Sequence, residues 1–173
     1  MILRPDARFL VRHPAHFVAL GFGTGLAPIA PGTAGTLLAF PMFLALDAAL
    51  GPFDGWPARL AFLAALAAFF ALGVWACGRT GRDLGVADHG AMNWDEVVAF
   101  LLVLLLTPEG VAWQALAFFL FRFFDIVKPP PIRHFDRTLK GGFGVMFDDL
   151  LAAFYALLVM AGAKQVWPVV SPG

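Results

Sequence analysis

Apolar runs with few charges divide the chain. Leu60–Gly78 is the longest, with nineteen residues free of charge, close to the ~20 that a helix needs to cross bilayer hydrocarbon. Gly35–Leu50 is apolar but carries Pro41 and Asp47; Val97–Leu106 and Val111–Phe121 flank the break "TPEG"; Leu150–Ala163 runs up to Lys164. Strand-like alternation is absent, so each run predicts a helix. Several are short enough to be half-spans or soluble core helices.

Composition strengthens the membrane reading. The 173 residues are 60% hydrophobic and 14% charged, against about 25% charged in ordinary globular domains. So few charges cannot cover a soluble surface of this size; the rival is a soluble chain with a very apolar core or oligomer interface. Formal net charge is zero, so general attraction to nucleic acid is not expected. The single cysteine, Cys77, excludes an intrachain disulfide and a multi-cysteine metal site. No cleavable signal peptide is expected, and no linker or repeat divides residues 1–173, which read as one domain.

The charges are unevenly placed. If the chain starts inside and crosses at about 35–50, 60–78, 97–107, 111–121 and 150–166, ten of twelve Lys and Arg fall in the inside segments 1–34, 79–96 and 122–149; only Arg59 and Lys164 lie outside. This obeys the positive-inside rule. Nine of the twelve acids share those segments, leaving Asp47, Asp54 and Glu109. The expected fold is all-α: a compact, membrane-embedded multi-helix bundle with its polar loops on one cytoplasmic face.

Four stretches could carry chemistry. "GFGTGLAPIAPGTAGT", residues 21–36, precedes a helix and could bind an anion through backbone N–H groups, or be a tight turn using glycine for conformation. It lacks the Gly-Lys-Ser/Thr of a Walker A loop. "GRTGRDLGVADHGAMNWDEVV", residues 78–98, holds Asp83, Asp88, His89, Asp95 and Glu96. The last two open a helix, where the dipole favours acids; adjacent carboxylates also suit a hard cation. In "FRFFDIVKPPPIRHFD", residues 121–136, Arg122, Asp125 and Lys128 recur at three-residue spacing on one helix face. Pro129 ends that helix, and three prolines are expected to hold "KPPPIR" extended. Lys128 and Arg133 suit phosphate oxygens, or form a snorkelling collar. Finally, in "DRTLKGGFGVMFDDLLAAF", residues 136–154, a flexible glycine turn leads to Asp148-Asp149 at a second helix start. Crowded carboxylates repel, and a divalent cation would resolve that repulsion. The pattern fits a metal-dependent phosphate site without identifying the substrate.

Taken in order, "GTGLAPIAPGTAGT", "DHGAMNWDEVV", "FRFFDIVKPPPIRHFDR" and "GGFGVMFDDL" closely resemble the phosphatidylglycerophosphatase A family from about Gly21 to Ala153. The resemblance implies an all-helical Mg2+-dependent phosphatase of the bacterial inner membrane, its site facing the cytoplasm. The substrate would be phosphatidylglycerophosphate, embedded in the bilayer. Family acidic positions correspond to Asp83, Asp88, Asp95, Glu96, Asp125, Asp136, Asp148 and Asp149, and basic ones to Arg122, Lys128 and Arg133. On this reading Asp95, Glu96, Asp125 and Asp149 are the leading metal ligands, Asp88 and Asp148 come next, and one of these acids could instead act as catalytic base or nucleophile. Arg122, Lys128 and Arg133 would grip phosphate. His89 would protonate the leaving oxygen or orient Asp88. Thr24, Gly32, Thr33 and Thr36 would line the headgroup site. Rival readings are a phosphatase of another lipid or soluble phosphate monoester, and a small transporter or channel, which would line its path with intramembrane charge.

Overall fold

The computed structural model describes residues 4–53 and 55–166; Asp54, expected on the outer side, lies outside them. Eight α-helices follow in order: α1 (Ala7–Arg12), α2 (Pro14–Ala19), α3 (Pro31–Leu50), α4 (Trp56–Leu84), α5 (Trp94–Leu106), α6 (Val111–Val127), α7 (Ile132–Thr138) and α8 (Gly141–Val166), with a 3-10 segment at Gly21–Leu26. Among the described residues there is no strand. The bundle is all-helical, as the apolar runs imply.

Local chemistry explains the ends. Pro31 opens α3 and Pro57 lies in the first turn of α4, where a missing N–H costs nothing. Gly85 closes α4 at φ 77°, and Val86 N–H returns to the Gly81 carbonyl at 3.0 Å, as in a Schellman ending.

α5 is the hub. Residues 91–101 are buried without interruption, and α5 packs against α3, α4, α6 and α8. The Trp94 indole donates to the Phe69 carbonyl of α4 at 3.0 Å. α3, α4 and α8 are long and apolar enough to cross a membrane. With 13 residues, α5 is only about 20 Å long. Its neighbours are protein, so it need not reach both interfaces.

Small residues set the spacing around this hub. Gly73, Cys77 and Gly81 repeat every four residues along α4, and all are buried. A Cβ on Gly142 of α8 would run into the Val74 carbonyl oxygen and the Gly78 amide of α4. Within a bilayer, such close packing replaces the hydrophobic drive between helices. It also corrects two expectations. The stretch 141–144 is not a flexible turn but the start of α8, where Gly142 admits the α4 backbone. Asp148 and Asp149 therefore lie within α8, about two turns in, rather than at its opening.

Chain direction gathers the polar ends. α3, α5 and α8 begin, and α4 and α6 finish, at one end of the bundle, where α2 also packs on α4. At the opposite end Asp47, Arg59, Glu109 and Lys164 line one cavity of about 610 Å3.

The glycine contacts yield a paired test. Gly142→Ala should cost about 1–3 kcal/mol through overpacking. Gly162→Ala, in the same helix with nothing within 4 Å of its added Cβ, should gain about 0.5–1 kcal/mol. Thermal denaturation in detergent distinguishes them, and equal effects would refute the close α4–α8 approach.

Candidate active site

The polar end contains a buried carboxylate cluster. Asp95 and Glu96 come from the first turn of α5 and Asp149 from α8; one ligand oxygen from each lies within 4.8 Å of the others. All three are buried. Asp125 of α6 adjoins Glu96 and Asp149. The sequence-expected metal set thus converges from three helices that are distant along the chain.

Two cations flank the acids. Arg122 Nη1 is 2.7 Å from Asp125 Oδ2 and 3.5 Å from Glu96 Oε1, and lies 3.5 Å from Thr36 Oγ1. The i,i+3 pair is the one read from the sequence. Lys128 caps α6 in a left-handed conformation at φ 45°. Its Nζ contacts Asp136 Oδ1 at 2.7 Å and also pairs with Asp148 Oδ2. Burial works to lower the Lys128 pKa, but Asp148 and Asp136 outweigh it and the net shift is upward. Burial likewise works to raise the Asp136 pKa, and the Lys128 hydrogen bond brings it below the ordinary carboxylate range. Lys128 is therefore held protonated.

These cations do not satisfy the acids. Asp95 Oδ1, Glu96 Oε2, Asp148 Oδ1 and Asp149 Oδ2 are buried without hydrogen-bond partners, as is Arg122 Nε. Native proteins leave few buried polar atoms unpaired. Clustered carboxylate oxygens with free lone pairs match the donor set of a hard divalent cation, so the residues present fit a cation of that class, to which Mg2+ belongs.

The glycine-rich segment packs onto this cluster. A Cβ on Gly32 would strike Glu96 Oε1 and come within 3.0 Å of the Arg122 guanidinium; only glycine permits that approach. Thr36 donates to the Gly32 carbonyl at 3.0 Å, and Thr33 sits in the same first turn of α3. Thr24 donates to the Gly21 carbonyl at 2.9 Å. Asn93, not singled out in the sequence, holds this segment in place. It is fully buried; its amide donates to Thr24 Oγ1 at 3.0 Å and to the Pro31 carbonyl at 2.8 Å. Its place two residues before Asp95 was the available signal.

Other expected residues lie apart. Asp88 joins Asp136 and Asp148 around a cavity of about 30 Å3. His89 Nδ1 accepts from the Ala91 N–H at 3.1 Å. Arg133 is exposed and donates to the Val127 carbonyl at 3.3 Å; among the described residues it pairs with no carboxylate. The prolines do not extend the chain as expected. They form a turn closed by Ile132 N–H to the Pro129 carbonyl at 2.8 Å, since burial of Ile132 and the Lys128–Asp136 pair outweigh the extended preference. Asp83 belongs to a separate cluster, 2.9 Å from Arg79 Nε and 3.2 Å from buried His16 Nε2.

Fold and site define a helical protein with spanning-length helices and a carboxylate–guanidinium site at one end. Comparison with known proteins gives the family. The family model described as phosphatidylglycerophosphatase A matches residues 17–164. The chain is 44% identical to a phosphatidylglycerophosphatase A of Haemophilus influenzae, covering 94% of this chain and 96% of that one. It is 37% identical to a phosphatidylglycerophosphatase A of Escherichia coli, covering 94% and 91%. A Bacteroides thetaiotaomicron relative, provisionally named a phosphatidylinositol-3-phosphatase, is 41% identical over 86% of this chain and 92% of its own. No solved structure gives a significant match. The chain belongs to the phosphatidylglycerophosphatase A family, whose name is that of a phosphoric monoester hydrolase.

Removing one crowded carboxylate should relieve repulsion. In EDTA, Asp149→Asn should raise stability by on the order of 1 kcal/mol, or about 2–4 °C in Tm. A lower Tm would show that Asp149 is held by attraction instead.

Proposed function

We propose that the chain is a Mg2+-dependent lipid phosphatase. It hydrolyses phosphatidylglycerophosphate to phosphatidylglycerol and phosphate at the cytoplasmic face of the bacterial inner membrane. We read residues 1–173 as one domain serving this reaction. The observation that carries the reading is the convergence of Asp95, Glu96 and Asp149 beside Arg122, at the polar end of spanning-length helices, in a chain of this family.

Asp95, Glu96 and Asp149 would hold the cation, with Asp125 beside them. Bound there, a divalent cation would neutralise phosphoryl charge and acidify a water molecule. Arg122 has an unpartnered Nε to offer a phosphoryl oxygen. Lys128, protonated between Asp136 and Asp148, adds a second positive charge that favours the transition state. Asp148 Oδ1 is free to take the proton of the attacking water. The bond between phosphorus and the glycerol oxygen breaks, and that oxygen takes up a proton. We assign its delivery to the imidazolium form of His89; the contact in which Nδ1 accepts from the Ala91 N–H belongs to the neutral ring left after the proton is given. Asp88 would orient His89. Gly32, Thr33, Thr36 and Thr24 would form the headgroup wall, with Arg133 at its rim.

Purified protein in detergent should release phosphate from phosphatidylglycerophosphate with Mg2+, lose the activity in EDTA, and regain it on Mg2+ addition. Arg122→Ala should lower kcat by about 10²–10³-fold, and Asp95→Asn should remove the Mg2+-dependent turnover with the helical circular dichroism unchanged. No release by the wild type would overturn the reading. The Bacteroides relative motivates a second one, in which the substrate is another lipid phosphate. Faster turnover of phosphatidylinositol 3-phosphate than of phosphatidylglycerophosphate would select it.

A further inference from the structure

A groove of about 280 Å3 runs between α4, α5 and α8, and its lining is entirely apolar; Leu63, Ala67, Phe70, Val98, Leu102 and Leu150 form most of it. One end is built from the helices that carry the carboxylates. Val98 and Leu102 follow Asp95 by three and seven residues, so the three share one face of α5. Leu150 directly follows Asp149. At 1.5 Å per residue, the groove starts about 4.5 Å beyond Asp95 along α5 and continues to about 10 Å.

The other side of the groove faces outward. Leu63 and Ala67 are exposed on α4 while Val98 is buried at the floor. α4 is the most apolar of the three spanning-length helices. The concavity therefore opens toward hydrocarbon and begins one turn from the site. A lipid whose terminal phosphate lies beside Arg122 and a cation held by Asp95, Glu96 and Asp149 must run its tails along this side or another lipid-facing side of the bundle. This side offers an apolar groove in line with Asp95.

We infer that the groove seats an acyl chain of the phosphate-bearing lipid substrate. The inference rests on the lipid phosphatase reading and adds to it a subsite for the chain. The chain moves from lipid to protein rather than out of water, so its contribution is packing, not hydrophobic transfer. The expected effect falls on KM and is modest.

Two measurements test this. Ala67→Phe narrows the groove from its rim, away from the polar site. In mixed micelles it should raise KM for palmitoyl phosphatidylglycerophosphate about fivefold with kcat unchanged, and alter kcat/KM for the butanoyl analogue less than about twofold. Equal effects on both substrates, or none on either, would show that the groove holds bulk lipid only. Labelling gives a readout independent of turnover. Cys77 is buried with 0% exposure, so in Ala67→Cys the introduced thiol is the accessible one. A palmitoyl phosphonate analogue should slow its reaction with N-ethylmaleimide, and a butanoyl phosphonate should not. Unchanged labelling, or equal slowing by both, would overturn the inference. Should wild type hydrolyse neither chain length, the proposed reaction fails by itself, and selective protection by the palmitoyl phosphonate still decides the subsite.

Discussion

The structure depends on withdrawing carboxylates from water without giving each a basic partner. Arg122 serves Asp125 and Glu96, and Lys128 serves Asp136 and Asp148. Asp95 and Asp149 have no basic partner among the described residues and keep unpaired buried oxygens. Burying charge in this way costs several kcal/mol per ion unless a counter-ion compensates. The surplus is concentrated where α5 meets α8, so the site is poised for positive charge from outside the chain.

Much of the packing serves that concentration. The α5 hub places Asp95 and Glu96 at its first turn, where the helix dipole favours them. Gly142 lets α8 approach α4 closely enough to present Asp149 to α5, and Gly32 lets α3 close over Glu96 and Arg122. A side chain at either glycine would force helices apart at the point where the charges meet. The same small residues that replace the hydrophobic drive between membrane helices therefore also set the carboxylate spacing.

The collection of charge at one end was legible because it depends on position along the chain: each helix reverses direction, and the charged segments alternate with apolar runs. The Arg122–Asp125 pair was legible from helical spacing. The start of α8 was not. "GGFG" has the composition of a turn, and only the α4 backbone pressing against Gly142 makes it helical. "KPPPIR" favours extension locally, but Ile132 is worth more buried. Asn93 was hidden for a related reason: a buried amide that pairs with a distant carbonyl and hydroxyl leaves no periodic trace in the sequence.

The division of Asp148 and Asp149 shows how one helix can link the two charged nodes. Adjacent residues in an α-helix point about 100° apart. Asp148 thus reaches Lys128 at the end of α6, while Asp149 reaches Asp95 and Glu96 at the start of α5. One backbone unit holds both. Any shift of α8 that moves Asp149 relative to α5 also moves Asp148 relative to Lys128, with which it pairs. Lys128 and the carboxylate cluster are in this way set in register by a single peptide bond. That register explains why a pair of neighbouring acids, rather than two separated ones, stands at this point of the chain.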